Sequence, residues 1–101
     1  FKIPEAAQSV LALSADFQSL DPDTAWRFNP STPSVSLEDH HQLAYLEYGK
    51  GRLVVSGEAA MFSAQLAGAQ KRKIGMNAPY AKDNNKLLLN IIRWLDHQLN
   101  E

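Results

Sequence analysis

Cysteine is missing from all 101 residues, which excludes a disulfide, a thiolate metal ligand and a cysteine nucleophile together. That absence does not assign a compartment, because exported proteins need not carry disulfides. No apolar run approaches the roughly 18 residues that a membrane-crossing helix requires, so no membrane span is expected. Charge of one sign is also lacking: ten Lys and Arg stand against eleven Asp and Glu, a formal charge of −1. Such a balance gives no general pull toward nucleic acid, and no nucleic-acid partner is expected. Neither an initiator methionine nor a charged and then apolar leader opens the sequence at Phe1-Lys2-Ile3-Pro4, which reads as a processed product or a fragment.

What is present is ordinary for a globular chain: 45% hydrophobic and 21% charged residues. The length suits a single domain, or the C-terminal fragment of a larger α/β domain. Residues 1–40 are punctuated by Pro4, Pro22, Pro30 and Pro33, so only short strands are expected among irregular chain. Ser9 to Leu13 is the best of these, Ala25 to Phe28 reads as an edge strand, and Asp21-Pro22-Asp23 reads as a turn. No internal repeat or low-complexity tract is visible.

Residues 41–101 read as strand, turn, strand, helix, loop and helix. Leu43, Tyr45, Leu46 and Tyr48 fit a half-buried strand. Gly49-Lys50-Gly51 permits positive φ and sends Arg52 to Ser56 back as the second arm of an antiparallel hairpin. Leu53-Val54-Val55 is apolar without alternation, the pattern of an interior strand covered on both faces. Gly57 allows a sharp corner, and the helix formers that follow predict a helix over 58–67 with Gly68 as its stop. Gln70 to Lys73 reads as a solvated basic loop. A longer helix is predicted over 84–99, capped by Asp83 or Asn84, with Leu88, Ile91, Ile92, Leu95 and Leu99 forming its apolar stripe. Leu87 and Trp94 flank that stripe and are free to meet a loop or a partner chain.

In a strand–corner–helix unit the helix begins at the carboxyl end of its strand, where free N–H groups form a positive pole. Glu58 falls at that position. A second helix running back would bring its own start, and the loop Gly75 to Tyr80 before it, to the same end of the sheet. The candidate ligand-binding residues are therefore Glu58, Ser63, Asn77, Tyr80 and Asn84, facing a small polar or anionic ligand. The alternative is structural: Glu58 stabilises the helix dipole or bonds loop amides, and Asn77 and Asn84 satisfy backbone groups in a tight loop. One carboxylate without a second acid or histidine at telling spacing gives no catalytic residue. His40 and His41 follow Glu38 and Asp39, but adjacent extended residues point to opposite faces, so a metal site is not expected there. Gly49-Lys50-Gly51 precedes the apolar strand and lacks the glycine spacing of a phosphate loop, and no cofactor is expected.

The runs Gly49 to Gln65, Gly75-Met76-Asn77-Ala78 and Asn84 to Leu95 resemble the C-terminal part of uncharacterised, often exported bacterial proteins of the class I glutamine amidotransferase-like superfamily. The resemblance covers residues 42–99. It implies an α/β chain that forms the last part of a flavodoxin-like three-layer fold, with a β-hairpin, a buried strand and two helices, and with earlier βα units missing. It also implies an exported or periplasmic location. Glu58, Asn77 and Asn84 match recurring positions of the group. The amidotransferases' cysteine elbow and later histidine–acid pair have no counterpart here, so glutamine hydrolysis is not implied.

Three functions remain open on these grounds. The leading one is a non-catalytic ligand- or partner-binding domain. The others are the C-terminal part of a hydrolase whose catalytic groups lie upstream, and a homo-oligomeric assembly module or one that associates with a missing N-terminal part.

Overall fold

The structure, a computed structural model, describes residues 1–99. Seven strands, β1 (Gln8–Ala12), β2 (Gln18–Leu20), β3 (Ser34–Ser36), β4 (His41–Tyr48), β5 (Gly51–Ser56), β6 (Ala64–Ala67) and β7 (Arg72–Gly75), precede one α-helix, α1 (Asn84–Leu95). A single 3-10 turn, Ala60–Phe62, stands before β6. The strands form three separate antiparallel sheets: β1-β4-β5, β2-β3 and β6-β7. No described helix is long and apolar enough to cross a membrane. The expected unit 41–101 ends in two residues that lie outside those described.

The β4–β5 hairpin is the centre. Tyr48 pairs with Gly51 across a two-residue loop, and Gly49, first in that loop, has φ +59°, as the primed hairpin turns require. Alternation then sorts the side chains. Leu43 and Tyr45 of β4 share one face with Arg52 and Val54 of β5, while Ala44 and Leu46 share the other with Leu53 and Val55. Helix α1 lies over the first face. There Leu43 is fully buried and Trp94 nearly so, with the Tyr45 and Trp94 rings in an edge-to-face pair, centroids 5.1 Å apart. The N-terminal segment crosses the second face, where Phe1, Ile3, Pro4 and Ala7 line an open groove with Ala44, Leu46, Leu53 and Val55.

This architecture overturns the expected flavodoxin-like three-layer α/β fold. No parallel strand pair occurs among the described residues, and there is one α-helix instead of two. The predicted helix over 58–67 is the 3-10 turn followed by β6, and the predicted basic loop supplies Arg72 and Lys73 to β7. Propensity is a weak prior, and a ten-residue helix has little stability without a face to bury. Pairing with β7 provides what that helix lacks, since Ala64 to Ala67 match Gly75 to Arg72 in register. The strand expected in the interior, β5, is an edge strand, with Leu53 and Val55 half exposed at 50% and 54%. Ala25 to Phe28 form no strand, and Trp26 stands 89% exposed at φ +67°.

The helix differs from expectation in its end and its orientation. It stops at Leu95 because His97 adopts φ +59°. The amide of His97 then donates to Trp94 O at 3.1 Å and that of Gln98 to Arg93 O at 2.7 Å, the paired bonds of a Schellman motif. Trp94, expected at the flank, is the most buried helical residue, while Ile92 and Leu95 from the expected stripe are exposed.

Gly75 locks the β6–β7 ribbon to the 3-10 turn. At φ +89° it leaves no room for a side chain, since a Cβ there would meet the carbonyl oxygen of Ser63 and lie 2.6 Å from that of Ala60. Gly49 has open space around it. Gly75→Ala should therefore lower stability by more than about 2 kcal/mol, against about 1 kcal/mol for Gly49→Ala. Urea unfolding monitored by circular dichroism checks the difference, and equal losses would contradict the close-approach role.

Candidate functional site

The polar residues singled out in the sequence fall around the 3-10 turn, and most are engaged locally. Glu58 Oε1 accepts the Ala60 amide at 2.6 Å, while Ser56 Oγ donates to the Glu58 carbonyl at 2.7 Å. Ser63 Oγ donates to Ala60 O at 2.7 Å and accepts from Gln65 Nε2 at 2.9 Å. Asn84 Nδ2 donates to Met61 O at 3.0 Å, tying the first residue of α1 to the same turn. Asn77 Nδ2 reaches Gln65 O across the β6–β7 ribbon at 3.5 Å. Tyr80 is 86% exposed and its ring walls no described cavity. The structure thus brings Glu58, Ser63 and Asn84 together through the backbone of 60–62, with Asn77 on the adjoining ribbon and Tyr80 apart. Their polar atoms converge on backbone groups instead of on an open pocket.

The concave surfaces lie elsewhere. Beneath α1, Val10, Tyr45, Val54, Ile91, Trp94 and Leu99 line an open recess of about 490 Å³, with Asn90 at its rim. On the opposite sheet face the groove of about 270 Å³ under Phe1 to Ala7 is almost wholly apolar. A third recess, about 290 Å³, is polar and belongs to the loop from Pro22 to Pro33, where Arg27 and Asp23 sit beside an Asn29–Ser31–Thr32 hydrogen-bonded turn. The first two offer area for apolar contact and few directed polar groups.

One polar pair was not visible in the sequence. His41 Nδ1 lies 2.8 Å from Ser9 Oγ, joining β4 to β1. Histidine and serine are a base and a nucleophile in principle. No carboxylate is bonded to this histidine among the described residues, and the pair sits exposed on the sheet. A separation of 32 residues gave no local signal for it. His40 turns away, its Nδ1 3.1 Å from Glu38 O, and no described group of three His, Asp or Glu side chains is arranged to hold a metal ion.

A partly buried charged residue that spacing also misses is Arg52. Its side chain is 12% exposed and its guanidinium carbon stands 4.8 Å from the Trp94 ring centroid. Nη1 donates to Trp94 O at 2.5 Å and to Leu99 O at 3.0 Å, and Nε lies 3.5 Å from Glu47 Oε1. Only a tertiary fold that ends a helix above the hairpin gives this arginine its partners.

Because Glu58 and Asn84 both hold the 3-10 turn, Glu58→Ala and Asn84→Ala should each cost about 1 kcal/mol and speed exchange of the Ala60 amide. The double variant should depart from additivity, as neighbours sharing one element do. Native-state hydrogen exchange provides the measurement, and unaltered Ala60 exchange in Glu58→Ala would rule out the cap. No family model, curated protein or solved structure matches this chain.

Proposed function

We propose that this chain is a non-catalytic partner-binding domain that completes its hydrophobic core against another polypeptide surface. The observation that carries the proposal is unburied area. A compact protein of 11.2 kDa exposes about 5,700 Å² by the usual size scaling, whereas this chain exposes 8097 Å². The excess, roughly 2,400 Å², is several times the about 800 Å² that each partner contributes to a standard protein interface. The radius of gyration agrees, at 16.5 Å against about 13 Å for a compact domain of this length.

Large apolar side chains contribute to that exposure on three surfaces: Leu53 and Val55 stand half exposed beside the N-terminal segment, Leu89, Ile92 and Leu95 on the outer side of α1, and Leu20 and Val35 on the β2–β3 ribbon. Exposed apolar surface beyond scattered single residues marks interaction sites. A polypeptide partner is favoured over a small polar or anionic ligand, because the recess of about 490 Å³ under α1 and the groove under Phe1 to Ala7 are mostly apolar and four of the five candidate polar residues are bonded to neighbouring backbone.

Small-angle scattering and binding of a hydrophobic dye test the reading. The chain alone should either scatter as an expanded particle that binds the dye, or associate and lose dye binding as its concentration rises. A dye-silent monomer with a radius of gyration near the compact value would overturn it.

A further inference from the structure

We infer that β5 is the docking edge of this domain and that its occupant is β5 of a second copy, paired antiparallel about a two-fold axis at Val54. The inference rests on the partner-binding reading and names the surface and the partner. The ladder phase comes first. The Gly57 amide donates to Gln42 O at 2.8 Å, and the register runs Leu43↔Ser56, Ala44↔Val55, Tyr45↔Val54. Leu53 and Val55 therefore turn their N–H and C=O groups toward β4, and Arg52, Val54 and Ser56 turn theirs outward. Among the described residues no other backbone group receives that outward set.

Edges left open in this way are normally blunted by charge, proline or a bulge. The opposite edge, β1, has two register irregularities against β4. β5 has none, and it contains neither proline nor lysine. Its single charge, Arg52, is directed at Glu47 and the end of α1, so it does not repel a like strand. The order Arg52-Leu53-Val54-Val55-Ser56 reads the same in both directions as polar, three apolar, polar. Two-fold pairing sets Val54 opposite its equivalent and Leu53 opposite Val55 of the second copy, joining the two half-exposed apolar faces into one. The sheet becomes six-stranded, and the joined face continues across the groove beneath Phe1 to Ala7. An isologous contact of this kind closes on itself and does not propagate. The excess area on each chain is ample for a stable dimer.

The native lack of cysteine makes the test direct. In the inferred register Leu53 and Val55 of the second copy form a close, non-hydrogen-bonded pair, within disulfide reach. Under mild oxidation a mixture of Leu53→Cys and Val55→Cys chains should yield a covalent heterodimer, while each variant alone should cross-link far less. Wild type should sediment as a dimer and Val55→Lys as a monomer. If Val55→Lys fails to fold, the mixed cross-linking decides. A dimer that neither cross-links in the mixture nor responds to Val55→Lys would overturn the inference, as would a wild-type monomer. A monomer that is expanded and dye-binding sinks only the second-copy pairing, whereas a compact, dye-silent monomer sinks the partner-binding reading as well.

Discussion

The guanidinium of Arg52 is where the hairpin and the end of α1 are joined. It stacks on Trp94, donates to the carbonyls of Trp94 and Leu99, and lies beside Glu47. The end of a helix concentrates unsatisfied carbonyls and partial negative charge, and a cation placed there answers both. Since Arg52 belongs to the hairpin and the carbonyls belong to the end of α1 and the chain beyond it, the contact ties the end of the helix to the sheet. Trp94 then faces Tyr45 and Leu43, and the Tyr45 hydroxyl extends the chain of contacts to Gln8 Oε1 on β1 at 2.6 Å. Far from this cluster, Asn84 anchors the other end of the helix to the 3-10 turn.

One helix covers one face of one small sheet. The remaining elements, the β2–β3 and β6–β7 ribbons, are two-stranded, and a two-stranded ribbon is marginal in water without a surface to lie on. Only Leu43, Ala44, Ala78 and Trp94 are buried apolar residues among those described. The chain has the hydrophobic content of an ordinary domain but distributes it over surfaces that do not meet one another. The proposed partner surface is what would bring composition and burial into agreement.

The hairpin and the existence of the last helix are legible in the residues, because a period of two broken by Gly49 and a recurrence at three and four positions are local signals. Details that depend on distant contacts are not. An arginine at a helix end decides that Trp94 rather than Leu95 turns inward, and the helix termination relies on His97 in a conformation for which sequence reading expects glycine. The stretch after Gly57 misleads for a related reason: its alanines, methionine and glutamine favour helix individually, yet its strand partner, Arg72 to Gly75, is outside any local window. Strands of three residues such as β2 and β3 are too short to carry a period. The polar residues Glu58, Ser63, Asn77 and Asn84 are legible as a neighbourhood, since all lie near one turn, but their bonding partners are backbone groups that no side-chain spacing announces.

That last point separates the polar cluster from the apolar surfaces in kind. A turn held almost entirely by side chains bonded to its own backbone has little freedom to release them, since each broken bond exposes a donor or acceptor that must find water instead. Glu58 oriented on the Ala60 amide and Asn84 on Met61 O are positioned to hold shape. The sheet's free edge carries the opposite property: the outward backbone groups of β5 have no described backbone partner, and the proposed contact with another chain would satisfy them. In a domain whose polar side chains are spent on keeping small elements in place, the proposed recognition falls to β5, whose outward backbone groups no other described backbone group receives.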